Sequence, residues 1–457
     1  MSLGKPEKSE SFFRVFAGIG AMSFLTYVGE YAAFIIVLVY LSDKLTVTFD
    51  LGATGYAFVG LISGAFLIAS GLVAIYMGHL SDKYGRRRTM IAGCILGSVA
   101  LLSLILADNL TSLAEFLVAT AVALTALGLA HGTYTASTLA YGGDLAEKHQ
   151  TMGKAYGLVD GAEFAGYAFG PAVGTTVAFL TSRTTVFEMS TSMLLISAVL
   201  AVLFMPEIRP GHVEAGPETD DASGHEEEEG PHFHGEDAEL GHNEGGHSAL
   251  GQDHSHSATW GDYVNAFRTP IVGVALLTTL VGAIGFSAFY SFVPLYAHTL
   301  QSQVPAFAYL YGYFGSLMAI TGVLFMVPFG HYEDTTSRRM PYLVLGLIGG
   351  AAALALVFFT VSLPTFLVAA LAFGLSVGMV RVSQLVILAE ASKPTNRAAI
   401  MGTNHALEHV GYGTAAVMTG TLIAIFGSFG AAFRFLSVVL IVAGLAFLLY
   451  GRRAKVK

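Results

Sequence analysis

Twelve apolar runs recur along this chain, each about the roughly 20 residues that a helix needs to cross a hydrocarbon layer. They fall at 13–41, 54–80, 87–107, 113–141, 152–181 and 186–205, then at 270–299, 306–332, 339–361, 365–391, 398–426 and 430–450. A segment in lipid must satisfy its own backbone hydrogen bonds, which a helix does internally and an open sheet edge cannot. Charged residues make up only 12% of the 457, about half the share in soluble domains. The expected fold class is therefore an all-α membrane protein of twelve transmembrane helices. With both termini placed in the cytoplasm, all but four of the 23 Lys and Arg lie on the cytoplasmic side or at its helix ends. The exceptions are Lys44, Arg183 and Arg434 outside, and Arg381 within a run. Excess basic residues mark cytoplasmic loops, and the even span count agrees. A multi-pass protein of the plasma membrane, in contact with lipid, is expected.

A polar stretch at 206–260 divides the spans six and six, giving an N-terminal bundle (1–205), a linker (206–260) and a C-terminal bundle (261–457). The linker and both termini are expected in the cytoplasm. Residues 212–256 carry thirteen carboxylates, eight histidines and no Lys or Arg, so they cannot bury a core and are expected to be disordered. That stretch more than accounts for the net charge of −9; the remainder is near neutral, and no nucleic-acid partner is expected. Histidine-rich tracts take divalent metals such as zinc, nickel or copper. That makes His225, His232, His234, His254 and His256 the candidate metal ligands, and a divalent metal in this loop the one expected bound group. The start MSLGKPEKSE lacks a signal-peptide pattern, so the first span is expected to be retained. The single Cys94 excludes an internal disulfide.

The two bundles show internal similarity. Gly128-Leu-Ala-His-Gly132 aligns with Gly374-Leu-Ser-Val-Gly378, and on that register Asp144 meets Glu390. One gap later, Gly157, Glu163 and Gly166 meet Gly402, Glu408 and Gly411. Polar residues matching in register favour duplication over chance likeness between apolar helices, giving two pseudo-symmetric six-helix halves.

Between the second and third spans runs Gly78-His-Leu-Ser-Asp82-Lys-Tyr-Gly85-Arg86-Arg-Arg, a tight charged turn. A decayed copy, Gly330-His-Tyr-Glu-Asp334-Thr-Thr-Ser-Arg338-Arg339, follows the eighth span. The pattern resembles motif A of the major facilitator superfamily (MFS) of transporters. The resemblance implies a central cavity worked by alternating access, with motif A contacts closing the inner side. Asp82 would face the positive N-terminus of the eleventh span near Ala398, and Arg86 would pair with Asp144. Asp334, Arg338 and Glu390 would form the mirror lock. In the fifth span, Gly161-Ala-Glu-Phe-Ala-Gly166-Tyr-Ala-Phe-Gly170-Pro171-Ala-Val-Gly174 makes a smooth, kinkable face. It resembles motif C of the superfamily's antiporters and implies export by exchange with protons, as in the drug/proton branch. The chain departs from that branch at Gly128, where an Arg is usual.

Ionisable residues inside a membrane are costly and mark pathways or proton relays. Glu30, His131, Asp160, Glu163, Arg381, His405, Glu408 and His409 all fall within spans. His131, Glu163, Arg381 and Glu408 each lie about ten residues from an inner helix end, roughly 15 Å at helical rise, the depth where transporter sites lie. Arg381 needs a counter-charge, and Glu408 is the expected one. Glu30 and Glu163 have no basic neighbour in sequence and are expected to carry protons as the cavity alternates. His405 and His409 share a helix face; they are expected to couple protons or to pack, with convergence of both and Glu408 on one cation as the alternative. The string His405-Ala-Leu-Glu408-His409 also matches an inverted zinc-protease pattern, but inside a Gly-rich membrane span it is not read as catalytic. Tyr27, Tyr31, Phe34, Phe286, Phe289, Tyr290, Phe292 and Tyr296 suit either packing or a cavity for planar solutes.

The sequence thus points to a non-enzymatic, monomeric secondary transporter that binds a small molecule and protons, with a divalent-metal exporter as the alternative. Deleting residues 212–256 separates the two. For an organic-solute exporter, transport should be nearly unchanged; lost metal tolerance in cells would mark the loop as a metal-capture element.

Overall fold

A computed structural model describes residues 7–149, 152–207, 270–336, 339–359, 361–391 and 397–454. The linker histidines His225, His232, His234, His254 and His256 and Arg338 lie outside the described residues, as do the side chains of Gly78, Asp82, Asp144, Asp160, Asp334 and Glu390.

Helices account for almost all of the rest. In the first half they are α1 (Glu7–Asp43), α2 (Gly55–Tyr84), α3 (Arg86–Ala107), α4 (Leu113–His149), α5 (Met152–Leu180) and α6 (Arg183–Phe204). The second half begins with α7 (Pro270–Ser287), which runs through a π-helical turn (Ala288–Phe292) into α8 (Val293–Thr299). Then come α9 (Phe307–Thr336), α10 (Met340–Phe359), α11 (Leu363–Ala391), α12 (Arg397–Phe426) and α13 (Phe429–Ala454). Among the described residues, eleven stretches are long and apolar enough to cross a membrane. The polar-dotted α5, 29 residues long, completes the set by packing along α1. Large apolar side chains such as Leu203, Leu324 and Phe359 point outward, as a lipid-facing rim requires.

The glycine repeat has a structural counterpart. A Cβ on Gly128 would strike the Phe66 carbonyl and one on Gly132 the Ser70 carbonyl, so α4 lies backbone-to-backbone on α2. In the second half Gly374 and Gly378 meet the carbonyls of Met318 and Gly322, placing α11 on α9 in the same way. Gly166 against Tyr27 and Gly411 against Ala283 repeat the relation for α5 on α1 and α12 on α7. Small residues permit this approach where no hydrophobic effect drives helices together.

The halves meet along two seams. Gly60 and Gly64 of α2 abut Ala416, Gly420 and Gly413 of α12. Gly312 of α9 abuts Pro171 and Thr175 of α5, while Ser316 Oγ accepts from the Ala172 amide at 3.0 Å. At the end carrying the α1–α2 turn, Asp43 pairs with Arg183 of its own half and His298 of the other, the latter at 3.2 Å. Both seams therefore close the molecule from its middle to the Asp43 end. Gly413→Val should force them apart. Introduced at the fully buried Ser63, in a Cys94→Ala background, a cysteine is expected to react severalfold faster with a thiol reagent in that variant; unchanged reactivity would mean that the seam does not control closure.

Candidate functional site

Below the seams lies a small cavity of about 50 Å³ lined by Glu163, Tyr167, Arg381, His405, Glu408 and His409, among others. A second pocket of similar size shares Phe286, Val377, Arg381, Glu408 and Tyr412 with it and extends between α7, α10, α11 and α13.

Glu30 enters this region from α1. Gly29 lets Met193 of α6 press on the α1 backbone; Glu30, about 100° further round the helix, points the other way, toward α4. There its Oε2 lies 2.7 Å from His131 Nδ1. The same nitrogen is 2.9 Å from the Tyr134 hydroxyl. Glu30 and His131 are both fully enclosed. The sequence showed no basic partner for Glu30, because the partner is a hundred residues away on another helix.

From the second half, Arg381 of α11 forms an ion pair with Glu408 of α12, as their common depth implied. Tyr412, one turn on from Glu408, donates to its Oε1 at 2.5 Å. Thr279 of α7 donates to Asn404 Oδ1 at 2.6 Å, a pairing that no sequence signal announced. The alternative of His405, Glu408 and His409 converging on one cation does not form. Adjacent helical residues do not face each other, so Glu408 turns to Arg381 while His409 turns across the seam. Its ring centroid lies 4.6 Å from that of His405, the planes tilted by 54°, and 5.4 Å from that of His131.

Aromatic rings form the wall between the two charge pairs. Tyr31 lies on Tyr167 with centroids 4.1 Å apart. The π-helical turn brings Phe286 and Tyr290 into a stack at 5.3 Å, and Tyr412 packs on Phe286 at 4.9 Å. Phe289 instead stacks on Phe373, Tyr296 on Phe429, and Phe34 on Phe66; with Phe292 they are core. The Gly166, Gly170 and Gly174 face of α5 meets Tyr27, Tyr31 and Ala32 of α1, and the Pro171 carbonyl faces Gly312 across the seam.

The motif A turn is held by a residue that the motif does not contain. Gly85 has φ of 101° and joins α2 to α3; a Cβ there would collide with the Glu207 carboxylate. Glu207 Oε1 accepts from the Arg87 amide at 3.2 Å, at the positive N-terminus of α3, and its other oxygen is 3.7 Å from Arg87 and Arg88. Arg86, buried, donates to Ser81 at 3.1 Å. In the decayed copy the described pair is Glu333 and Arg339, 3.8 Å apart, with Ser383 donating to Glu333.

The Major Facilitator Superfamily profile matches residues 19–325 and 309–457. The chain belongs to this superfamily. No curated protein sequence matches it. Among solved structures it is similar to a bacterial homolog of the human lysosomal transporter Spinster, in an inward-facing, unoccupied conformation. That match has a TM-score of 0.70 at 13% identity and covers 98% of each chain. A point mutant of the nucleoside transporter NupG gives a TM-score of 0.66 at 13% identity, covering 95% of this chain and 99% of that one. The human organic anion transporter MFSD10 gives 0.59 at 15% identity, covering 97% and 100%. At these identities the likeness is one of fold.

Removing one member of a mostly buried ion pair costs about 3–5 kcal/mol, whereas replacing both by apolar residues costs far less. Glu408→Leu alone should therefore lower the thermal midpoint in detergent markedly, and Arg381→Leu/Glu408→Leu should recover most of the loss. Equal midpoints for the single and double variants would mean that the loss does not come from an orphaned Arg381 charge.

Proposed function

We propose that this MFS member exports a small organic solute in exchange for protons, by alternating access. The observation that carries the reading is the cavity at the seam between the halves, closed toward Asp43 and furnished by both halves with ionisable groups. The basic-residue bias puts the Gly85 end in the cytoplasm, so solute loads there. The aromatic lining of Phe164, Tyr167, Phe286 and Tyr412 suits a planar or amphipathic molecule, and relatives of the fold named for nucleosides and organic anions agree with organic cargo. Motif C on α5 supports antiport. Glu30 with His131 in one half, and Glu408 with Arg381 in the other, supply the exchangeable protons; Glu163, His405 and His409 complete the polar lining. Motif A, with Gly78, Asp82, Gly85, Arg86 and Asp144, and its copy at Asp334, Arg338 and Glu390, would close the cytoplasmic side in the opposite state.

A divalent-metal exporter is the second reading, favoured by His131, Glu163 and His409 coming within 4.8 Å of one another. Proteoliposomes loaded with a pH-sensitive dye test both. Organic cations and aromatic solutes should release protons in the wild type, and Glu30→Gln and Glu408→Gln should each reduce that flux about a hundredfold or more, the scale on which losing a positioned proton-transfer group acts. Flux triggered only by zinc, nickel or cobalt would replace the organic reading with the metal one. Silence from every compound would remove proton exchange from the proposal.

A further inference from the structure

Two buried histidines at the seam each leave a ring nitrogen without a partner. His131 and His409 are 1% and 2% exposed, and the Nε2 of each has no hydrogen bond. Their other nitrogens are committed. His409 Nδ1 lies 3.2 Å from the His405 carbonyl, which only accepts, so Nδ1 carries the proton and Nε2 the lone pair. His131 Nδ1 faces the Glu30 carboxylate at 2.7 Å; donating to it leaves Nε2 again with the lone pair. Histidines that bind metals are held in this way, the far N–H given to a carboxylate or a backbone carbonyl. Glu163 of α5 brings an oxygen to the same place, and one ligand atom from each of the three residues lies within 4.8 Å of the others.

We propose that His131, Glu163 and His409 form a site for one divalent transition-metal ion, held between the two halves of the protein. Two imidazoles and a carboxylate suit zinc, cobalt or nickel rather than magnesium or calcium, which prefer all-oxygen shells. Zinc bonds of about 2.0 Å set tetrahedral ligand atoms roughly 3.3 Å apart, so binding draws these ligands together by about 1.5 Å at most. A fourth position remains open toward the cavity. His131 and Glu163 belong to the first half and His409 to the second. The site therefore assembles only with the α2–α12 seam closed, and an ion in it clamps that state. Neither an organic solute nor proton exchange is needed for this; the site shares its three residues with the metal-export reading, which requires metal flux as well as binding, so binding without flux would keep the site and remove that reading.

The test is cobalt titration of the full-length protein in detergent, with the eight linker histidines changed to serine so that the linker cannot compete. One equivalent of Co²⁺ should give visible d–d bands that zinc displaces. His409→Ala should abolish them, and Glu30→Gln, which weakens the support of His131, should loosen binding about 10–100-fold. His331→Ala, an exposed histidine outside the cavity, should change nothing. Because His409→Ala could unfold the seam, His409→Cys is the positive control, its thiolate adding a sulfur-to-cobalt charge-transfer band. The sole native thiol, Cys94, is buried elsewhere. Absence of cobalt bands in the linker-substituted protein, bands that survive His409→Ala, or no charge-transfer band in a folded His409→Cys would each overturn the site.

Discussion

A charge carried into hydrocarbon must find a partner or give up its charge, and the interior of this protein is organised by that requirement. Glu30 and His131 satisfy it within the first half, between α1 and α4. Arg381 and Glu408 satisfy it within the second, between α11 and α12, with Tyr412 as a further donor. Each pair ties together two helices of one half, so it moves with that half as a rigid unit. Neither spans the seam, and sliding the halves past one another need not break either pair. The groups that do cross near the middle are neutral or weakly bonded rings, which separate at lower cost.

The glycines serve the complementary purpose. Within each half, Gly128 and Gly132 seat α4 on α2, and Gly374 and Gly378 seat α11 on α9. Between the halves, Gly60 and Gly64 let α2 and α12 touch through their backbones. Contacts of this type gain from dispersion and shape alone, with no large side chain locked into a hole. A seam made that way can part and re-form, while the within-half contacts are reinforced by the buried pairs. Rigid halves joined by a polar linker and a smooth seam are what alternating access needs.

Much of this was legible in the sequence because membrane helices announce themselves by length and hydropathy, and duplicated halves by polar residues in register. The Arg381–Glu408 pair could be inferred from depth alone. The partner of Glu30 could not, since depth says nothing about which way a residue points around its helix. The same blindness left open whether His405, Glu408 and His409 converge. Spacing of four correctly put the two histidines on one face, but the adjacent Glu408 lies about 100° away and serves another helix. Glu207 was illegible for a different reason. It follows α6, far from the motif A turn in sequence, and becomes its anchor only when α3 and α6 pack.

His409 joins the seam to the cavity. Its Cβ would lie 2.8 Å from a Cβ placed on Gly71 of α2, so any side chain there would displace the helix that carries His409. One turn before it is His405, whose carbonyl orients the His409 ring; across the seam is His131, oriented by Glu30. The ring geometry at the centre thus depends on the backbone approach of α2 and α12, and on the carboxylate of α1 behind His131. Parting the seam at Gly60 and Gly64 would carry His409 away from His131 and Glu163, while both charge pairs lie within single halves. Closure of one end and assembly of the central polar cluster are, in this architecture, a single movement of α12 against α2.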